Sequence, residues 1–329
     1  MIVVDDASSD GSADVAKSLA TSDPRIRVIQ NRKNMGPVDT FNNGLKAATG
    51  EFIVRLDADD MLTPGSLSRS VALARHFPTV GLVYGHPVHF IEDDGRAELT
   101  SAWGNPEIIA PGATPTYTPD VRSWTVWPGM SWLRDRCQTG LNVITSPEVL
   151  MRASVVAQVG GQKPLPHTHD MEMWLRMATA CDVGRVDGAD QAWHRDHPHS
   201  LSSAVSDGLG EWRIRQLAFD TLFADPDPPF AESKELHELS RRAIASTVLR
   251  QASHSLDRGH ACSADIIDSE NYAAELYPQI SDLPSWRGLQ RRKRLQTVFP
   301  VNKSPYVATA AAWKMLANHR AARWQKWGI

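Results

Sequence analysis

Four short apolar runs near the start of the chain, "IVVDD", "RIRVIQN", "EFIVRLDADD" and "VGLVYGHPVHF", alternate with stretches whose apolar residues recur at helical spacing. Strands alternating with helices imply βαβ units, and therefore an α/β domain with a mostly parallel sheet flanked by helices. The helices are predicted around residues 14–20, 36–49 and 64–77, the second stopped by Gly50 and the third carrying Pro64 in its first turn. Ligands of such sheets sit at the carboxyl ends of the strands. Two runs end there in carboxylates: Asp5 and Asp6 in one, Asp57, Asp59 and Asp60 in the other.

Residues 92–140 have little periodicity and are rich in Gly, Pro, Thr and Trp, as expected of a binding loop or lid. "SPEVLMRASVVAQVGG" reads as a strand-like piece and a short helix, and "HDMEMWLRMATAC" as a helix packing through Met173, Leu175, Met177 and Ala178. From Asp207 onward the pattern is helical, without further strands. The organisation expected is an α/β domain over 1–205 and a helical extension over 206–329. Between Leu283 and Ile329 there are ten Lys or Arg and no Asp or Glu, although the whole chain has a net charge of −3. "WRGLQRRKRLQTVFP" reads as a basic linker. "AAAWKMLANHRAARWQKWGI" reads as a helix that either packs back on the protein or makes peripheral contact with an anionic membrane surface. No nucleic-acid recognition motif accompanies these charges. There is no apolar run long enough to span a bilayer and no signal-peptide pattern, and Cys137, Cys181 and Cys262 form no disulfide framework. The location expected is cytoplasmic, or peripheral on the inner face of the membrane.

"LDADD" sets Asp57 and Asp59 two residues apart where a strand turns, so both carboxylates can face one crevice. Like charges that close call for a cation, and Mg²⁺ or Mn²⁺ suits carboxylates while leaving room for phosphate oxygens. The plainer alternative is a solvated turn with Asp60 as a helix cap. "DDASSDGS" has calcium-loop offsets, but Lys17 stands where a bidentate Glu is required, which excludes that site. Ser9 or Asp10 is then a helix cap. The cluster His167, His169, Asp170, Glu172, with His194, His197 and His199, has no zinc-ligand spacing. Asp170, ahead of an apolar helix face, reads equally as an N-cap.

In order and spacing, "VVDDASSDGS", "NMGPVDTFNNGLKAATGEFIVRLDADD", "ITSPEVLMRASVVAQVGG", "HDMEMWLRMA" and "HRDHPHSLS" resemble the family 2 glycosyltransferases, which have the GT-A fold. The resemblance covers residues 1–203. It implies an inverting transfer of a sugar from a nucleotide-diphosphate sugar to an acceptor hydroxyl. Asp6, with Asp5 beside it, would contact the nucleotide base. Asn42 and Gly44 would lie on the helix flanking the nucleotide. Asp57 and Asp59 would form the metal motif, with Asp59 the direct ligand. Asp170 would be the general base, with Trp174 and Arg176 matching residues of the helix that carries it, and His197 would lie near the diphosphate and metal. The acceptor, whether a glycan, a lipid-linked sugar or a small molecule, stays open.

The chain departs from the family pattern in three places. His169 precedes the base where an acidic residue is usual, and Phe41 stands where a basic one is common. Family members also begin with a further strand and helix ahead of the "VVDD" strand. The expectation is therefore a natural start upstream or a degenerate copy, with apolar strand edges left exposed. Two other functions stay open: a truncated homologue that binds nucleotide without turning it over, and a nucleotidyltransferase. The second would carry a Gly-rich basic phosphate loop near its start, which is not seen.

Overall fold

The computed structural model describes residues 1–93, 96–99, 124–195, 208–224, 230–258, 263–296 and 315. They fall into two compact units. The first contains β1 (Ile2–Asp5), α1 (Ser12–Ser22), β2 (Arg27–Gln30), α2 (Gly36–Ala47), β3 (Phe52–Val54), β4 (Met61–Leu62), α3 (Ser66–His76), β5 (Val80–Asp93), β6 (Arg96–Leu99) and β7 (Trp124–Trp127). It also holds the start of α4 (Gly129–Thr139), then β8 (Leu150–Arg152), α5 (Ala153–Val159), α6 (His169–Met177) and β9 (Asp182–Arg195). The second takes the rest of α4 with α7 (Gly210–Ala224), α8 (Ser233–Asp257), α9 (Ser263–Leu276) and α10 (Pro284–Gln296).

The α/β class and flanking helices agree with the sequence, and the sheet is mixed. β1 and β2 form a two-stranded parallel sheet, with Ile2 opposite Arg27 and Asp5 opposite Gln30. The larger sheet runs β3-β8-β5-β9-β4, with β6 added to β5 and β7 to β9. Its β5–β9 ladder is parallel, and its other ladders are antiparallel. A parallel pairing needs a long crossover. β4, in contrast, follows β3 through the 55–60 loop alone, so the strand–helix alternation overstates the parallel share. Ile2, Val3 and Val4 of β1, like Phe52, Ile53 and Val54 of β3, are only half-buried.

The core under α3 joins Leu73, Ala74, Val80, Val83, Leu150 and Val186, with Phe52, Val54 and Trp124 packed against it. α6 is buried along most of its length: Met171, Met173, Trp174, Leu175 and Met177, with the polar His169 and Glu172, are all buried. The stretch read as irregular contains β6, β7 and α4, while its residues 94–95 and 100–123 lie outside the described ones. β9 escapes a hydrophobic-pattern reading because its interior carries charge. Arg185 and Gln191 are fully buried, the first paired with Asp187 at 2.5 Å, the second accepting from Arg69 Nε at 2.6 Å.

In the second unit the basic stretch read as a linker is α10, a helix. Leu289 is fully buried, Arg292 donates to Asp257 at 2.9 Å and Lys293 to Glu270 at 2.8 Å, so much of its basic face serves packing. The predicted helix over residues 310–329 lies outside the described residues, apart from Met315. α7 and α8 are pinned by Asp220, which accepts from His237 Nε2 at 2.6 Å, Gln216 Nε2 at 2.9 Å and Arg241 at 3.1 Å. Burial pushes the Asp220 carboxyl up, but the bonds from His237, Arg241 and Gln216 outweigh it and hold it well below the usual carboxylate range. A carboxyl depressed in the folded state adds stability above its unfolded value, near about 3.9, and loses it as the pH falls toward the folded one. Asp220→Asn is therefore expected to cost on the order of 2 kcal/mol at pH 7. In urea unfolding the gap to the native protein should close as the pH is taken below about 4.

Candidate active site

Asp5 and Asp6 close β1, and both carboxylates are tied to their surroundings. Asp5 accepts from Gln30 Nε2 at 3.1 Å. Asp6 Oδ1 accepts from Asn31 Nδ2 and from the Met35 amide, each at 2.8 Å, and Oδ2 accepts from the Gly36 amide, also at 2.8 Å. A carboxylate facing the first amides of a helix complements that helix end. The slight burial of Asp6 raises its carboxyl, but the bonds from Asn31, Met35, Gly36 and Thr40 outweigh this and lower it overall. Asp6 thus organises the loop leading into α2. At the next turn Asp10 accepts from the Ser12 amide at 3.1 Å, but the N-cap of α1 is Gly11 in a left-handed conformation, so neither Ser9 nor Asp10 is the cap.

The "N-x-G" residues have a clear packing role. Asn42 donates Nδ2 to the Gln162 carbonyl and accepts the Gln162 amide on Oδ1, both at 2.9 Å, clipping α2 to the segment after α5. Gly161 must be glycine for this, because a Cβ there would lie 2.2 Å from Asn42 Oδ1. Gly44 lets α2 sit against β1, where a Cβ would meet Val4 Cγ2 at 3.0 Å. The same segment anchors α6: Arg176 donates to Glu172 and to the carbonyls of Val159, Gly160 and Gly161, with Glu172 wholly buried.

The turn after β3 separates its three acids. Arg55 forks onto Asp57, Nε to Oδ1 and Nη2 to Oδ2, both at 3.0 Å. Burial pushes the Asp57 carboxyl up; Arg55 opposes this, while Asp60 and Asp59 add to it. Asp59 is exposed, and its carbonyl accepts from Arg195 Nε at 3.0 Å. Asp60 is buried and accepts from His194 Nδ1 at 3.1 Å and the Arg195 amide at 3.0 Å. It holds β4 to β9 and caps no helix, since α3 begins only at Ser66 behind Gly65.

Asp170 lies within the first turn of α6, behind the N-cap Thr168, so it is not the cap. Its Oδ1 accepts from the Met171 amide at 2.6 Å and its Oδ2 from Ser146 Oγ at 3.0 Å. His169 Nε2 lies 3.4 Å from Arg55 Nη1. A guanidinium only donates, so Nε2 accepts and the imidazole is neutral. Burial, with Arg55 nearby, pushes the His169 pKa down against the opposing pull of Asp170. The histidine that replaces the usual acid therefore brings no charge to the site. Arg55 also lies 6.0 Å from the Phe41 ring centroid, placing a cation beside the position where the resemblance expects one.

The Arg55–His169 contact brings the Asp57–Asp59 turn and the start of α6 together across 114 residues of chain. Asp5, Asp6 and Asn42 belong to the β1–α2 side, and His197 lies outside the described residues. Three residues beyond the sequence reading complete the site: Arg55, Ser146 and Glu148. Only Arg55 carried a signal, since it lies two residues before Asp57 and alternate strand residues share a face. Among the described residues no group of three or more His, Cys, Asp or Glu could hold a metal ion alone. One exposed carboxylate beside a second that an arginine neutralises fits a hard divalent ion completed by phosphate oxygens and water. Asp59 is the residue that would hold it.

The family model "Glycosyl transferase family 2" matches residues 1–135. EpsE of Bacillus subtilis is 40% identical over 85 residues, which is 25% of this chain and 31% of that protein. An uncharacterized glycosyltransferase of Haemophilus influenzae is 24% identical over 182 residues, 54% of this chain and 50% of that one. The chain thus spans between about a third and a half of the length of these relatives. The structure of S. aureus TarS 1-349 in complex with UDP is similar in fold, with a TM-score of 0.50 at 14% identity over 88% of this chain and 77% of that one. Motifs, fold and the matched segment agree: residues 1–135 of the 329 are similar to the family 2 glycosyltransferases.

Proposed function

We propose that the protein transfers a sugar from a nucleotide-diphosphate sugar to an acceptor hydroxyl with inversion, Asp170 serving as general base. The observation that best supports this is the Arg55–His169 contact, which joins a carboxylate turn suited to a donor diphosphate to a helix start bearing a carboxylate held on both oxygens. Asp170 takes the proton from the acceptor hydroxyl. The freed oxygen forms a bond to the anomeric carbon as the bond to the diphosphate breaks on the opposite face, which inverts that centre. A bound Mg²⁺ or Mn²⁺ supplies Lewis-acid neutralisation of the diphosphate charge, held on the protein side by Asp59. Asp6, Asn42 and Asp57 act from behind, by fixing the β1–α2 loop, the α2 clip and the Arg55 fork. His197 completes the diphosphate end in this reading.

One matched relative, 45% identical over 69 residues, is the GalNAc(5)-diNAcBac-PP-undecaprenol beta-1,3-glucosyltransferase of Campylobacter jejuni. It favours a glycan on a polyprenyl carrier as the acceptor to try first, which would also suit a peripheral membrane position. The donor site is tested by titrating UDP, GDP and dTDP calorimetrically, with and without Mn²⁺, into the protein and into Asp59→Ala. Cation-dependent binding of one nucleotide is expected, weakened at least about tenfold by Asp59→Ala. A folded protein that binds none of the three would sink the donor-site reading. Binding without any sugar release would favour the nucleotide-only alternative.

A further inference from the structure

We infer that Ser146 is a positioning residue for Asp170, fixing the carboxylate from the turn ahead of β8 in the orientation that receives the acceptor proton. The inference rests on reading Asp170 as the base. Held only by the amide of Met171, next to it in sequence, the carboxylate would be free to swing about its own side-chain bonds. Ser146 Oγ holds the other oxygen at 3.0 Å, from a different segment. The hydroxyl is itself well held. Ser146 precedes Pro147 in a turn closed by the Val149 amide donating to the Ser146 carbonyl at 3.3 Å. Glu148 folds back across that turn and accepts the Thr145 amide on Oε1 at 2.6 Å. The turn runs directly into β8, which is hydrogen-bonded on one side to β3 and on the other to β5. Ser146 is buried, so the hydroxyl is shielded from competing water.

The surrounding groups leave this role to an uncharged donor. Glu148 is fully buried; burial, with Asp170 and Asp60 nearby, pushes its carboxyl well above the usual range. Its Oε2 has no hydrogen-bond partner among the described residues. His169 is neutral, so no cation contacts Asp170 on α6. When Asp170 carries the acceptor proton, Ser146 Oγ can turn from donor to acceptor toward it, and the contact survives the proton transfer.

The test uses the full chain with Ser146→Ala, Ser146→Thr, Asp170→Asn, Asp170→Ala and the Ser146→Ala/Asp170→Ala double variant. Turnover is read as nucleotide release from UDP-GlcNAc, UDP-Glc, GDP-Man and dTDP-Glc in Mn²⁺, with water or a polyprenyl-linked glycan as acceptor. Ser146→Ala should lower kcat about tenfold with donor KM unchanged, and Ser146→Thr should recover most of it. Urea unfolding of the native protein, Ser146→Ala, Asp170→Ala and the Ser146→Ala/Asp170→Ala double variant should show non-additive effects of the two sites, because Ala at 170, unlike Asn, removes the contact. Ser146→Ala with wild-type kcat beside an inactive Asp170→Asn would overturn the inference and leave the base reading standing. An active Asp170→Asn would instead overturn the base reading. Strict additivity in unfolding would overturn the Ser146–Asp170 coupling whether or not a donor turns over.

Discussion

Asp170→Asn is expected to lower turnover about a thousandfold, within the range that general base catalysis contributes, while leaving nucleotide affinity unchanged. The substitution is nearly isosteric. An Asn amide can still meet Ser146 Oγ and the Met171 amide, the two groups that hold Asp170 at 3.0 and 2.6 Å, so α6 should keep its place. What it cannot do is accept a proton from the acceptor hydroxyl. No neighbouring group is ready to substitute. Burial pushes the Glu148 carboxyl well above the usual range, and His169 faces Arg55 through its one acceptor nitrogen. In the proposed function donor binding depends on the β3 turn instead, so calorimetry with the preferred nucleotide and Mn²⁺ should give the same affinity for both proteins. A variant retaining more than about a tenth of the activity would remove Asp170 from the base role.

The site was legible in the sequence where its chemistry lies in consecutive residues, and hidden where it depends on the fold. The strand ends carrying Asp5-Asp6 and Asp57-Asp59, and the helix carrying Asp170, could be read from apolar runs breaking into carboxylates. The role of Asn42 could not be read that way, because its partner Gln162 lies 120 residues away and contributes only backbone atoms. Gly161 likewise looks like a helix stop until the Asn42 side chain is seen occupying the space of its missing Cβ. β9 was missed because Arg185 and Gln191 are buried through pairing, and polar burial cancels the hydrophobic alternation that marks strands. Ser146 and Glu148 are ordinary residues of a short turn, and only the approach of α6 to β8 gives them a carboxylate to act on. The charge of His169 needed the position of Arg55, a residue with no signal beyond its spacing from Asp57.

Arg55→Met is expected to lower kcat/KM about a hundredfold, although Arg55 need not touch the substrate, because misplacement of a reacting group by about 1 Å is worth that much. The guanidinium holds Asp57 by two bonds at 3.0 Å, reaches His169 at 3.4 Å and lies over Phe41, so three segments of the site lose a common partner at once. Electrostatics adds a second signature. Asp57 is already raised by burial and by Asp60 and Asp59, and Arg55 is what opposes that rise. Without the arginine Asp57 should need a higher pH to ionise, and the acid limb of the kcat/KM profile should move upward. Arg55→Lys restores the charge but not the planar fork. It should keep the acid limb near its original position while recovering only part of the rate, on the order of tenfold above Arg55→Met. If Arg55→Met stayed within about threefold of the native kcat/KM with an unmoved acid limb, the fork would be an ordinary partly exposed ion pair. The β3 turn and α6 would then have to be aligned by the Asn42–Gln162 clip and the Arg176 anchor alone.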